Sequence, residues 1–253
     1  YLPKQRYLNG IVIANHYTMT SNAEAPSNML SMESVFAMKG YAVIMPDYVG
    51  YGLSRDEIHP YLHWRSAAQT AVDLLNCMPN LFAHYGYSYP TDVVIAGYSQ
   101  GGAGAIRAVT EFANSDRYTT LFTCSAASRE IADALNWSYD PYKIHIPYFM
   151  VAGTGISDAG DGKDGGWVGV TPLVSLEENY LAMPDDIDRV MARRIGAEHE
   201  DMMACSDAYL TAWMLYRLYG DEQAAEVFVG ASAELRNNEL WQDVALYDAV
   251  ENK

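Results

Sequence analysis

The sequence predicts an α/β fold, a mostly parallel sheet covered by helices on both faces with a short cap. Three observations predict it. Short apolar runs alternate along the chain with longer stretches of helical period, the pattern of strand–helix–strand units. The runs are close to continuously apolar, as strands buried on both faces are. A Gly-x-Ser-x-Gly turn, Gly97-Tyr98-Ser99-Gln100-Gly101, lies between one such run and one such helix.

The elements follow in order. A first strand over residues 10–15 (Gly-Ile-Val-Ile-Ala-Asn) runs into His16-Tyr17-Thr18, and a helix over 28–39 follows. A second strand over 42–45 (Ala-Val-Ile-Met) runs into Pro46-Asp47-Tyr48-Val49-Gly50-Tyr51-Gly52, and a long amphipathic helix spans 64–85. The third strand, 93–96, runs into Ser99 and then a small-residue helix over 102–114. The fourth strand is 121–125. The fifth, 148–152, ends in Gly153-Thr154-Gly155-Ile156-Ser157-Asp158, ahead of a helix over 173–183. The sixth, 189–195, ends in Gly196-Ala197-Glu198-His199, ahead of a helix over 202–218 whose Tyr209, Trp213, Tyr216 and Tyr219 fall at core spacing. In open sheets of this kind ligands bind beyond the carboxyl ends of the strands. A serine, an acid and a histidine thus stand at separate strand ends, in that order.

Strand, Gly-x-Ser-x-Gly, helix is the context of a nucleophile elbow. So tight a turn needs small neighbours, because side chains at Gly97 and Gly101 would collide with the adjoining strand and helix. It lifts the Ser99 hydroxyl clear of the backbone under strain and aims the first N–H groups of the next helix at whatever the serine attacks. The bland alternative is a glycine-rich turn with a bystander serine.

Composition narrows the class. With 253 residues, half of them hydrophobic, and no repeat, charge block or low-complexity tract, residues 1–253 read as one domain. Sixteen basic against 32 acidic residues give a net charge of −16, which argues against nucleic acid or an anionic membrane as partner and leaves a small molecule. The three cysteines, Cys77, Cys124 and Cys205, lack the pairing or spacing of a disulfide framework or zinc site and read as small buried hydrophobes. No apolar run has the length of a membrane span. No leader segment is present, and a removed one is compatible with a start at Tyr1. A secreted or periplasmic location stands ahead of a cytoplasmic one, and the oligomeric state is open.

Together these features resemble the α/β-hydrolase superfamily, over residues 8–244. A narrower similarity is to esterase- and lipase-like hydrolases, among them dienelactone-hydrolase-like proteins and secretory lipases. It is carried by the run from Gly40 through Pro46-Asp47-Tyr48 to Ser54, by His59-Pro60-Tyr61-Leu62, by Gly97 to Gly102, by Gly196-Ala197-Glu198-His199 and by Ala208-Tyr209-Leu210-Thr211-Ala212-Trp213. Such folds usually carry one or two further strands before the first one here, so the resemblance implies that N-terminal strands are missing. Secretory lipases also carry a long lid where only residues 126–146 are available, which implies a small cap and an open site.

The resemblance orders the candidate residues. Ser99 is the nucleophile and needs a base, since a free hydroxyl is a poor nucleophile at neutral pH. Of His16, His59, His63, His84, His145 and His199, only His199 follows the acid-bearing strand end, as the Ser…Asp…His order requires. His16, its main rival, reads as structural, and His59 as a turn anchor. The acid is Asp158, Asp161 or Asp164. Asp158 leads because it lies nearest its strand end and because its Gly-Thr-x-x-x-Asp context, ahead of Val170-Thr171-Pro172-Leu173, is similar to that of the esterases. The Asp-x-x-Asp-x-x-Asp run has a weak calcium flavour without EF-hand spacing, and neither metal nor cofactor is expected. The resemblance places the oxyanion hole at the N–H of Gln100 with a second donor at Thr18 or Tyr17. Tyr98, Tyr48 and Trp167 are candidate substrate-binding residues, aromatic rings near strand ends that suit an apolar or aromatic acyl group.

The function expected is a serine carboxylic-ester hydrolase acting on small or medium acyl esters through an acyl-enzyme. Two rivals stand beside it. One is a serine peptidase of the same fold, for whose usual gating domain the sequence has no room. The other is a non-catalytic binding protein on a hydrolase scaffold.

Overall fold

The structure is a computed structural model that describes residues 1–4, 7–28, 33–113, 115–135 and 138–249. Seven strands form one sheet: β1 (Gly10–Asn15), β2 (Tyr41–Ile44), β3 (Val93–Tyr98), β4 (Thr120–Cys124), β5 (Tyr148–Gly153), β6 (Arg189–Arg194) and β7 (Trp241–Tyr247). Their order is β2-β1-β3-β4-β5-β6-β7. All neighbours are parallel except β6 and β7, which are antiparallel. This is the α/β-hydrolase fold that the sequence predicts. The chain order turns back between β1 and β3, so their carboxyl ends flank the crevice where doubly wound sheets bind ligands.

The helices are α1 (Ser34–Met38), α2 (Trp64–Tyr85), α3 (Gln100–Glu111), α4 (Arg129–Ala134), α5 (Ile156–Ala159), α6 (Leu173–Ala182), α7 (Met202–Tyr219), α8 (Glu222–Ala225) and α9 (Glu234–Asn237). Of the helix expected over 28–39, residues 29–32 lie outside the described residues and α1 covers the end. Residues 126–146, the expected cap, carry the short α4 and a single turn at Pro141–Lys143.

Strand alternation divides the core in two. Ile11, Ile13, Ile95 and Met150 face α2, α3 and α6, with Trp64, Leu75, Phe82 and Ile106. Val12, Val94, Phe122, Phe149 and Val151 face α1 and α7, with Phe36, Trp213 and Phe228. Burial on both faces is the reason these strands read as continuous apolar runs. Phe149 lies at the centre of the second layer, its ring 5.3 Å from Phe122, 5.7 Å from Trp213 and 5.3 Å from Phe228. Phe149→Ala removes a fully buried ring from three aromatic neighbours, and urea unfolding should show a loss of about 3–5 kcal/mol.

β7 is the strand that the sequence does not announce. Its pairing with β6 shifts register between Met191 and Arg193, and Asp243 takes a φ of 51° there. The bulge breaks the period of two, and the Arg193 side chain reaches across it to Asp243 (Nε to Oδ2, 2.8 Å).

Candidate active site

Ser99 follows β3 directly and has φ 56° and ψ −122°, a conformation that costs a non-glycine residue about 1–3 kcal/mol. Its N–H donates to the carbonyl of Cys124 (3.0 Å), and its own carbonyl accepts from Gly102 (3.0 Å) and Ala127 (3.2 Å). The turn is possible only with glycine on either side. A Cβ on Gly97 would lie 2.2 Å from the Gly101 carbonyl oxygen, and one on Gly101 would lie 2.2 Å from that of Asn15. The same close approach lays the His16-Tyr17-Thr18 loop against the start of α3, where the N–H of Gln100 opens the helix.

The acid and histidine come from two further strand ends. Asp158 lies in α5, just after β5, and is fully buried. Its Oδ1 lies 2.7 Å from Nδ1 of His199, which begins the turn between β6 and α7. Its Oδ2 accepts from the Ser125 hydroxyl (2.5 Å) and the Gly153 N–H (2.7 Å). Three hydrogen bonds thus reach this carboxylate in a place closed to water, which offsets the cost of burying it. The other two acids are elsewhere: Asp161 accepts from the Lys163 N–H (3.0 Å) and pairs with its ammonium (3.6 Å), and Asp164 is exposed. Among the described residues no three His, Cys, Asp or Glu side chains are grouped to hold a metal ion.

The prolyl oligopeptidase family matches residues 27–159, just over half of the chain. The chain belongs to the prolyl oligopeptidase family. It is a serine hydrolase of α/β-hydrolase fold. The matched segment takes in Ser99 and Asp158 and stops short of His199. No curated protein matches the chain.

In this member of the prolyl oligopeptidase family, tyrosine rings pack the site from below. Tyr98 stacks on the His199 imidazole, with ring centres 5.0 Å apart and planes 29° from parallel, and its hydroxyl donates to the His199 carbonyl (2.7 Å). Tyr48 packs against His16 with ring centres 4.0 Å apart and planes tilted by 37°, and donates to Asn15 Oδ1 (3.3 Å). Both are buried, and burial pushes both phenols far above their ordinary pKa. Tyr98 and Tyr48, expected as substrate-binding residues, thus each hold groups of the protein itself. Trp167 is 48% exposed and donates to the Ser157 carbonyl (3.2 Å), so its ring covers α5 and still meets solvent.

His16 is buried, and its Nδ1–H donates to the Tyr17 carbonyl (2.6 Å). Desolvation lowers its pKa to about 4, so the ring is neutral at pH 7. His59 donates from Nδ1 to the Val49 carbonyl (2.7 Å) and accepts at Nε2 from the Gln100 amide (3.4 Å), whose oxygen accepts from Leu62 N–H (3.3 Å). The loop after β2 is thus tied to the first residue of α3. Thr18 bonds Tyr61 through its hydroxyl (3.4 Å).

One residue here escapes the sequence reading: Ser125 is the last residue of a predicted strand, and a hydroxyl at a strand end is the signal available. Tyr98 is singled out by the sequence for contact with substrate, and its bond to the His199 carbonyl is not.

Two small cavities lie near Ser99 among the described residues. The cavity lined by Asn15, Gly97, Tyr98 and Phe122 measures about 20 Å³, and the one lined by Tyr48, His59 and Gln100 about 10 Å³. Each has room for roughly one water. A groove of about 450 Å³ opens between α4 and α6, lined by Arg129, Glu130, Asp133, Pro172, Val174 and Glu178. It adjoins the elbow: Ala127 N–H donates to Ser99, Ser128 N–H to Val170, and Thr171 Oγ1 to Ala126.

Proposed function

We propose that the chain hydrolyses small or medium carboxylic esters through an acyl-enzyme formed on Ser99. The observation that carries this reading is the 2.7 Å bond between His199 Nδ1 and a buried Asp158, beside a serine held at a positive φ. Asp158 accepts the Nδ1 proton, so Nε2 bears the lone pair. Nε2 takes the Ser99 proton as Oγ attacks the acyl carbonyl, then hands it to the leaving alcohol. Water, deprotonated by the same nitrogen, releases the acid. Among the described residues no hydrogen bond joins Ser99 to His199, and such bonds commonly tighten only once substrate is bound.

The oxyanion formed on attack takes the N–H of Gln100 and a second N–H from Tyr17 or Thr18. Each such donor contributes about 3 kcal/mol. Among the described residues the two cavities near Ser99 fit a water and no more, so this reading leaves the acyl group in the open. The groove between α4 and α6 sets Glu130, Asp133, Glu178 and Arg129 beside Pro172 and Val174, a mixed lining that suits a substrate bearing hydroxyl or amine groups better than a long alkyl chain.

Peptide hydrolysis is the second reading, and the family match favours it. The two are separated by comparing kcat/KM for p-nitrophenyl acetate and for a prolyl p-nitroanilide with the purified chain. The ester should turn over at least 100-fold faster than the anilide, and faster than a p-nitrophenyl ester of a long fatty acid. Anilide turnover at or above the rate of the acetate ester would replace the first reading with the second.

A further inference from the structure

Glu198 precedes the histidine and takes no part in the chemistry just described. Its carboxylate is bound nonetheless. Oε1 accepts from Ile156 N–H (3.2 Å) and Oε2 from Ser157 N–H (2.8 Å), the two amides that lead into Asp158. The approach is so close that a Cβ on Gly155 would lie 2.3 Å from the Glu198 carboxyl carbon. Behind it, Gly155 N–H donates to the Ala197 carbonyl (2.8 Å) and Gly196 N–H to Thr154 Oγ1 (2.8 Å). Ahead of it, Glu198 N–H donates to Asp201 Oδ2 (3.1 Å), which closes the turn that carries His199.

We propose that Glu198 is a positioning residue that sets the His199 loop in register with the Asp158 helix. The inference rests on the triad reading above. Consecutive residues on each segment clasp the other: Glu198 takes the backbone before Asp158, and Asp158 takes the ring after Glu198. The loops themselves supply little stiffness. Gly153, Gly155, Gly160 and Gly196 punctuate them, and Gly196 has φ 72° with nothing near its Cβ position. Two bonds from one carboxylate fix both the distance and the rotation of α5 against the loop. The Ser157 amide holds the Glu198 carboxyl below its ordinary pKa, so the clasp is ionised at neutral pH.

The test compares Glu198→Ala and Glu198→Gln with the parent on a short p-nitrophenyl ester. Glu198→Ala should lose about 10–100-fold in kcat with KM within twofold, the effect of a base displaced by a fraction of an ångström. Glu198→Gln keeps the shape and one acceptor, so it should fall between. The downfield proton resonance of the His199–Asp158 bond, assigned by its loss in Asp158→Asn, should broaden in Glu198→Ala. A residue that merely caps a turn would leave that resonance and kcat unmoved while lowering the melting temperature. Parental kcat and resonance in both variants would overturn the proposal, as would a fall in kcat with the resonance intact. If Glu198→Ala does not fold, Glu198→Gln decides by the same two readouts. Full activity in Ser99→Ala would instead remove the triad reading beneath it.

Discussion

Ser99→Ala is expected to lower turnover of a short p-nitrophenyl ester by about 10⁶-fold, the size of the loss when a triad serine is removed elsewhere. What remains is the part that the oxyanion donors and substrate binding supply without a nucleophile. The variant should stay folded, with a melting temperature within about a degree of the parent. Alanine keeps the Cβ of serine, so the strain at φ 56° and ψ −122° is unchanged, and the backbone bonds to Cys124, Gly102 and Ala127 do not involve the hydroxyl.

A second substitution at the same position separates strain from chemistry. Ser99→Gly is equally inactive, but glycine adopts this conformation without the steric penalty that a Cβ incurs. Relief of about 1–3 kcal/mol is set against the entropy of a more flexible unfolded chain, roughly 0.5–1 kcal/mol. The net stabilisation of about 1 kcal/mol should raise the melting temperature by roughly 2–4 °C for a chain of this size. Equal melting temperatures for the glycine and alanine variants would limit the strain to roughly the 0.5–1 kcal/mol that the entropy offsets, and a lower melting temperature in the glycine variant would mean that the elbow stores none. Retained activity in either would remove Ser99 as the nucleophile.

The elbow also shows why so much of this molecule is legible from sequence. Six of the seven strands read correctly to within two residues because a strand buried on both faces is an apolar run bounded by turn residues. α2 reads correctly at both ends. α3 begins two residues earlier than its reading, because Gln100 and Gly101 read as part of the turn while the elbow uses them as the first residues of the helix. β7 is hidden since its pairing exists only against β6, across a bulge. At the candidate site, Ser99, His199 and Asp158 stand out in the sequence because each lies just beyond a strand end. Their supports are not. Ser125 meets Asp158 across 33 residues, and Tyr98 meets His199 across 101. Such contacts follow from strand order, which places β4 between β3 and β5 and so puts Ser125 beside the end of β5. Proximity to a strand end marks Tyr98 and Tyr48 as near the site, but only packing shows that their rings face inward.

Asp158→Asn should reduce kcat by about 10⁴-fold, and the reason lies in what holds the second carboxylate oxygen. Ser125 Oγ–H and Gly153 N–H both donate to Oδ2. An asparagine must place its one carbonyl oxygen there, because its NH₂ would otherwise face the Gly153 N–H in a fully buried place. The NH₂ group is then left toward His199 and donates to Nδ1. The imidazole is driven to the tautomer protonated at Nε2, which has no lone pair to take the Ser99 proton. Nitrogen chemical shifts of the His199 ring would report the switch directly, with Nδ1 protonated in the parent and Nε2 in the variant. Removing the Ser125 hydroxyl by Ser125→Ala in the Asp158→Asn background frees one constraint on the amide, yet Gly153 N–H still fixes its orientation, so the double variant should recover no activity. A parental tautomer in Asp158→Asn, or a kcat within tenfold of the parent, would show that Asp158 is not what orients the base.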